Sequence, residues 1–450
     1  MHSAQAARLL REGSAVMPAK RFWQKDIETI GRRALDELQL NRLRKCFSRV
    51  YRTIPGFQQK CREAGVKPAD IQSLKDITRI PFTTSEDLRA GYPSGLLTVP
   101  KERSIRLHTS SGTTGKPKAL FFTKKDINQS AELIARCLTM TGTGSGDVLQ
   151  NMMTYGLFTG ALVMHYGAEK VGALVIPAGP GNTERQVALM KDFGTTAVHI
   201  LPSYALYLAT YMAEQGMDPR EELSLKRAYM GAEPYTEKTR QKIERLFGID
   251  VYNCYGLTEM NGPGVAFDCM ERTGLHLWED NYIMEIIDPV TGEQLPEGER
   301  GELVLTTLCR EAMPIMRYRT RDITRIKPGK CPCGRTHRRI SRILGRSDDM
   351  FIVRGVNVFP QQIEQVLMGV RGVAQNYQIV LESLDELTIR VEIARDMFDG
   401  NIEHLLAMKN DIIEKVRSSV LVRPHVELLE PGTIPITEGK AKRVIDKRTL

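Results

Sequence analysis

The period of apolar and polar positions changes several times along the chain. From 17 to 95 charged and apolar residues recur at helical spacing, as in LDELQLNRLRKCFSRVYRTI, which predicts helices. From about 105 to 260 short apolar runs alternate with longer amphipathic ones. DVLQNMM, GALVIPAG, AVHILP, RAYMGAE and IDVYNCYG read as buried strands, and ERQVALMKDFG, YALYLATYMAEQG and TEKTRQKIERLFG as the helices between them. That alternation predicts a parallel sheet covered by helices. Between 280 and 325, YIMEIIDPVTGEQLPEGERGELVLTTL is strand, turn, strand, with TG and EG as hairpin turns, so a more antiparallel β module is expected. After about 345 the chain changes again. FIVRGVNVFP is strand and loop, PQQIEQVLMGV is a helix opened by Pro360, and NYQIVLESLDELTIRVEIAR is a hairpin; a helix over roughly 402–418 and a strand-like VELLEP follow. This is a β-α-β-β-α-β style unit of about 100 residues. The expected fold is α/β. A large, multi-subdomain N-terminal domain over 1–345 would hold mostly parallel, helix-covered sheets and a β module. A small α+β domain over 346–450 would follow it.

Composition narrows the class. A chain of 450 residues exceeds the usual single domain. Its 42% hydrophobic and 26% charged content is that of a soluble globular protein, and 8 Cys in this length do not make a disulfide scaffold. The net charge of +9 comes from no single basic block. It therefore argues for anionic substrates rather than nucleic acid. The most apolar region, 155–181, is interrupted by His165, Glu169 and Lys170, so no membrane span is expected. The opening MHSAQAARLLREGSAVMPAKRFW lacks the apolar core of a signal peptide, and Met17 is an alternative start. A cytoplasmic protein is expected, in which close cysteine pairs suggest metal rather than disulfides.

The stretch HTSSGTTGKPKALFF, 108–122, has the parts of a phosphate-binding loop. It fails the Walker A pattern, because Ser110 stands where the first glycine belongs and Pro117 follows Lys116. Yet Gly112 and Gly115 let backbone N–H groups approach an anion. Ser110, Ser111, Thr113 and Thr114 add hydroxyl donors, and Lys116 and Lys118 add charge. The flanks alternate like strands, so the loop joins two strands rather than a strand and a helix. An exposed polar turn would have the same composition.

Four later stretches bear on that choice: YMGAEPYT (229–236), NCYGLTEMNGPG (253–264), PIMRYRTRDITRI (314–326) and GRSDDMFIVRGVNVFP (345–360). Tyr255 could stack on a base, Thr258 could donate to a phosphate and Glu259 could hold Mg²⁺. Asp322 is a bidentate acceptor suited to ribose hydroxyls. Near the end, PITEGKAKR (435–443) places Lys440 after a glycine. Each also has a plain alternative: a core tyrosine, a helix-capping glutamate, an aspartate paired with Arg319 or Arg321, a solvated turn.

In this order and spacing the motifs resemble the adenylate-forming acyl-CoA synthetase superfamily, and within it the phenylacetate–CoA ligase family. SSGTTGKPK is similar to the superfamily's phosphate loop, and YGLTE, YRTRD, GRSDDM and the late GK fall at its other core motifs. YGLFTG (155–160), HYGAE (165–169), GNTERQ (181–186), GPGVA (262–266) and RSDDMFIVRGVNVFP are more specific to the family. The resemblance runs from about residue 20 to the end and makes 110–118 an ATP polyphosphate loop. It implies two half-reactions. A carboxylate attacks the α-phosphorus of ATP to give acyl-AMP and pyrophosphate; the CoA thiol then attacks the acyl carbon and releases AMP. Mg²⁺ on Glu259, the loop residues Ser110, Ser111, Gly112, Thr113, Thr114, Gly115 and Lys116, and a lysine would neutralise the anions. The family takes that lysine from the small domain, which matches Lys440, with Lys442 as its neighbouring alternative. The resemblance further implies a rotation of the small domain between steps about Asp348, and ribose contacts from Asp322 and Arg346. It implies an adenine pocket at Gly231, Ala232, Glu233, Pro234, Tyr255 and Gly256. The acid pocket would involve Tyr155, Gly156 and Phe158, an apolar wall suited to an aromatic acid. Here the chain departs from the family, with Asn151-Met152-Met153-Thr154 before YGLFTG, and methionine fills irregular space.

CPCG at 331–334 brings two cysteines to one place. With Cys269 and His276 of FDCMERTGLH, Cys331 and Cys333 would make a closed Cys₃His set for a structural zinc, with His337 as an alternative fourth ligand. The implied reactants are a small carboxylic acid, ATP and CoA, with no nucleic acid and no membrane; a homodimer is compatible. A different acceptor, a coenzyme or a carrier protein, is the alternative within the superfamily. A nucleotide sensor without activity is disfavoured by the intact Lys116, Glu259, Asp322 and Lys440.

Overall fold

The protein, seen in a computed structural model, is described over residues 21–109, 117–348, 351–354, 356–383, 386–397, 402–435 and 443–448. The loop 110–116, Lys440, Lys442 and the alternative start Met17 lie outside the described residues.

After a single helical turn at Lys25–Glu28 come helices α1 (Arg32–Thr53) and α2 (Pro55–Glu63), as the helical spacing predicted. A hairpin of β1 (Ser104–Thr109) and β2 (Ala119–Thr123) then brackets the polar loop. α3 (Lys124–Met140) starts at Thr123, whose hydroxyl and the Asp126 carboxylate form a reciprocal cap.

The alternating stretch builds the main sheet. Its strands and helices are β3 (Val148–Asn151), α4 (Thr159–Lys170), β4 (Leu174–Ile176), α5 (Thr183–Asp192), β5 (Ala197–Ile200), α6 (Pro202–Glu214), β6 (Arg227–Gly231), α7 (Glu237–Phe247) and β7 (Asp250–Leu257). β4, β3, β5, β6 and β7 run parallel in that spatial order. An antiparallel extension of β8 (Gly262–Asp268), β9 (Leu275–Leu277) and two short strands beyond it widens the sheet to nine strands. Alternation along the strands fills both faces. Leu149, Ala197, Tyr229 and Tyr252 pack under α3 and α4, and Val198, Ile200, Met230 and Val251 pack under α5, α6 and α7. The HYGAE motif has a packing reason: a Cβ on Gly167 of α4 would collide with the Ile134 side chain of α3.

The expected β module is a separate antiparallel sheet, β10 (Tyr282–Ile287), β11 (Gly301–Thr307) and β12 (Tyr318–Thr324). It is closed by β15 (Gly345–Arg346), after the short β13 (Ile326–Lys327) and β14 (Arg339–Ile340) have joined the main sheet. The C-terminal unit has its own core. Its first strands, β16 (Phe351–Val353) and β17 (Val356–Val358), pair only with each other among the described residues. They do not join the unit's larger sheet, as a simple β-α-β-β-α-β reading would have it. That sheet has the order β20-β19-β18-β21, from β18 (Val373–Leu381), β19 (Leu387–Ile393), β20 (His425–Leu429) and β21 (Val444–Asp446). α8 (Pro360–Leu367) and α9 (Ile402–Val420) cover it. No described helix is long and apolar enough to cross a membrane.

Candidate active site and metal centre

In a sheet of this kind the loops after the parallel strands meet at one edge, where ligands bind. β3, β6 and β7 deliver there the three groups singled out from sequence: Tyr155–Phe158, Gly231–Pro234, and Tyr255 to Glu259. Gly231 pairs with Cys254 across β6 and β7. A Cβ on Gly231 would collide with the Cys254 carbonyl oxygen, so glycine is required there. The next residue, Ala232, has φ 63°, and Asn261 and Arg321 beside the site have φ 70° and 67°. Such strain in non-glycine residues gathers at functional sites. Ala232 and Pro234 are exposed. Glu233 accepts from the Ser203 backbone N–H (3.2 Å) and hydroxyl (3.0 Å), which anchors the loop on the N-terminus of α6.

Tyr255 is buried, and its hydroxyl donates to Asp322 Oδ2 at 2.6 Å, linking the main sheet to the β module. Asp322 sits opposite Arg346 in the β12–β15 register, with Arg346 Nη1 at 3.5 Å from Oδ1. Of the alternative partners, Arg319 pairs with Glu302 instead. Arg346 also grips Asp348 with two hydrogen bonds of 2.8 Å. Burial pushes the Asp322 carboxyl up to about 6, against the Tyr255 hydroxyl and Arg346. A raised value means that this group's contribution to stability is complete below its unfolded value of 3.8 and is lost as pH rises through about 6. Asp322→Asn should therefore gain on the parent by on the order of 2–3 kcal/mol between about pH 4 and pH 7. Paired melting curves check this, and a pH-independent offset would count against it.

Glu259 lies in a single 3-10 turn, Thr258–Met260, between β7 and β8. Its side chain is 6% exposed. Lys118, just past the polar loop, forms an ion pair with Oε1, and the Tyr318 hydroxyl donates to the same oxygen at 3.1 Å. Among the described residues these partners of the carboxylate both meet Oε1, which leaves Oε2 as a donor oxygen for a divalent cation, so the residues fit Mg²⁺. Beneath the turn, the fully buried Arg310 donates to the Glu259 carbonyl and lies over the Phe122 ring. Arg310 gave no signal in the sequence, being one basic residue among 63.

The acid-side stretch is less apolar than expected. Tyr155 accepts from Asn151 Nδ2 (2.9 Å), and its oxygen is 3.1 Å from His165 Nδ1, whose Nε2 is 3.0 Å from Glu169. Phe158 is exposed. Met152 points to the opposite face and packs with Val187, Met190 and Val198; Asn151 is the residue of that run that meets Tyr155. The Leu157 carbonyl accepts from the Thr109 N–H at 3.0 Å and lies 3.1 Å from His108 Nδ1, tying this loop to the end of β1. His108 is thus buried at the end of β1, just before 110–116.

The cysteine set comes together away from this edge, on the antiparallel extension. The ligand atoms of Cys269, His276, Cys331 and Cys333 lie within 4.8 Å of one another. Cys269 and Cys331 sulfurs are 3.6 Å apart, and Cys333 Sγ is 3.3 Å from His276 Nε2. A tetrahedral zinc with bonds of about 2.3 Å has edges of about 3.8 Å, so the set fits. His276 Nδ1 is held by the His337 carbonyl at 3.0 Å, which turns Nε2 to the thiols. His337 is excluded as a ligand, because Nδ1 accepts from the Glu279 N–H (3.0 Å) and Nε2 meets the Ile27 carbonyl (2.9 Å).

Comparison with known proteins now decides the family. An "AMP-binding enzyme" family model matches residues 68–309, and an "AMP-binding enzyme C-terminal domain" model matches 355–448. The phenylacetate-coenzyme A ligase of Thermus thermophilus is 45% identical over 95% of this chain and 100% of its own length. That of Escherichia coli is 41% identical over 94% and 97%. The chain belongs to the phenylacetate–CoA ligase family. Among solved structures, this family member superposes on 2-hydroxyisobutyryl-CoA ligase in its postadenylation state with a TM-score of 0.91, at 30% identity over 97% of this chain and 94% of that one. Against the same ligase in its thioesterification state the TM-score is 0.72 over the same shares.

Proposed function

We propose that this family member is an AMP-forming acid–thiol ligase that joins an aryl or arylacetic acid to CoA at the expense of ATP. The observation that carries the reading is full-length identity above 40% to phenylacetate-coenzyme A ligases, together with the convergence of Gly231, Tyr255, Glu259 and Asp322 at one sheet edge. Adenine would lie against Gly231–Pro234 and Tyr255, with Gly256 beneath. The ribose hydroxyls would donate to Asp322, with Arg346 alongside. Thr258 and residues 110–116 would donate to the phosphates. Mg²⁺, when bound by Glu259, would offset charge on the phosphates. In the first half-reaction the substrate carboxylate attacks the α-phosphorus and pyrophosphate leaves. In the second, the CoA sulfur attacks the acyl carbon and AMP leaves. Lys440 would serve the first step only, carried by the small unit over 346–450, which turns about Asp348 between steps. The acid would lie beside Tyr155, Gly156 and Phe158. Tyr155, braced by Asn151 and His165, would present a fixed ring edge to an aromatic acid.

ATP–pyrophosphate exchange against aryl, arylacetic and short aliphatic acids, followed by AMP release with and without CoA, tests the proposal. Exchange with an aromatic acid and CoA-dependent AMP release is the expected result. Exchange without CoA dependence would move the acceptor to a carrier or another coenzyme. Absence of exchange with every acid would refute the reading.

The Cys₃His set would hold zinc in a purely structural role, tying β8 and β9 to the 331–333 turn. Protein purified without chelator should contain about one zinc per chain, and Cys331→Ser should lose the metal and melt earlier. Metal analysis below about 0.2 zinc per chain, with no recovery on zinc addition, would remove the site.

A further inference from the structure

The small C-terminal unit meets the large one where α8 faces α7. Thr239, in the first turn of α7 and 2% exposed, donates its hydroxyl to Glu364 Oε1 of α8 at 3.0 Å. Glu364 Oε2 accepts from the Tyr377 hydroxyl of β18, also at 3.0 Å. The Arg443 guanidinium lies 4.3 Å from the Tyr377 ring centre and donates to the Gln375 carbonyl at 3.1 Å. Burial raises the Glu364 carboxyl above its ordinary value, and Arg443 opposes that. Arg443 is the first described residue after 436–442, and its carbonyl accepts from the Ile379 N–H at 2.7 Å where β21 begins. One carboxylate thus ties α7 to β18, and β18 in turn pairs with β21, the strand that follows Arg443.

One 2-hydroxyisobutyryl-CoA ligase, at the same identity and coverage, matches this chain with a TM-score of 0.91 in one state and 0.72 in another. The better match is the postadenylation state.

We propose that Glu364 is a positioning residue for the first half-reaction: through Thr239 it fastens the small unit to the large one in that step, and this contact opens for the second. The inference rests on the ligase reading above. Thr239→Val removes the bond to Glu364 and the hydroxyl contact with Thr236 Oγ1 (3.0 Å), while the Thr239 N–H keeps its own bond to Thr236 Oγ1. Glu364→Ala removes the other partner. Both variants should slow ATP–pyrophosphate exchange roughly 10-fold, the worth of one hydrogen bond to a carboxylate. Neither should slow thioester formation from supplied acyl-AMP and CoA. Equal loss in both half-reactions, or a ratio unchanged within about twofold, would overturn the proposal, because a merely structural defect lowers both. If the parent protein shows no exchange with any acid, the ligase reading fails by itself. The fastening is then read from the distance between spin labels at Lys191→Cys and Lys415→Cys. Thr239→Val must broaden that distribution, and an unchanged distribution overturns the proposal.

Discussion

Glu259→Gln is expected to slow acyl-AMP formation by about 10³-fold, close to 4 kcal/mol of transition-state stabilisation. The substitution keeps the shape of the side chain and the Tyr318 hydrogen bond. It removes the charge that Lys118 faces, in a place where the Lys118 side chain is only 14% exposed. It also removes the one carboxylate that Oε2 could offer to Mg²⁺. Charge is needed most when two anions approach in line, so the loss belongs to the first half-reaction. Exchange measured across a Mg²⁺ titration should show both a lower ceiling and a weaker dependence on the ion. Thioester formation from supplied acyl-AMP involves no pyrophosphate and should fall far less. Exchange within about tenfold of the parent would show that Glu259 is not the magnesium carboxylate.

Lys440→Ala should have an effect of similar size and sharper selectivity: loss of about 10³-fold in exchange, with thioester formation from acyl-AMP spared. The ammonium would offset charge as the carboxylate meets the α-phosphate, a need that vanishes once acyl-AMP exists. The segment that carries it is anchored on both sides. The Ile434 N–H donates to Glu392 at 2.6 Å, and Arg443 enters β21. Lys442→Ala is the companion experiment. If Lys442→Ala loses exchange and Lys440→Ala keeps it, the assignment moves by two residues. Equal loss of both half-reactions in either variant would refute a role confined to the first.

Much of the architecture was legible from spacing. The runs from β3 to β7 and the helices between them are local alternations of burial, and a chain segment carries its own period. The turn at Thr258–Glu259 and the CPCG pair were likewise visible, because each packs its groups into a few consecutive residues. The antiparallel extension of the main sheet was not legible. β9, β13 and β14 are two or three residues each, too short to show a period. β16 was misjoined and β17 was read as loop, for a related reason: a strand's pattern says which face is buried, not which neighbour it finds.

By itself, then, the sequence determined the kinds of groups this protein uses and the elements that carry them. It determined the alternation that builds β3 to β7 and the four zinc-type ligands as a set. Only the tertiary structure decided which groups meet. It put Lys118 on Glu259, Tyr255 on Asp322 and Thr239 on Glu364. It freed Asp322 from its sequence neighbour Arg319, turned His337 away from the metal set and buried Arg310 beneath the active turn. Period and composition are properties of neighbouring residues. These pairings join residues up to 310 positions apart, and such contacts exist only once strand register and helix packing have fixed the distances between them.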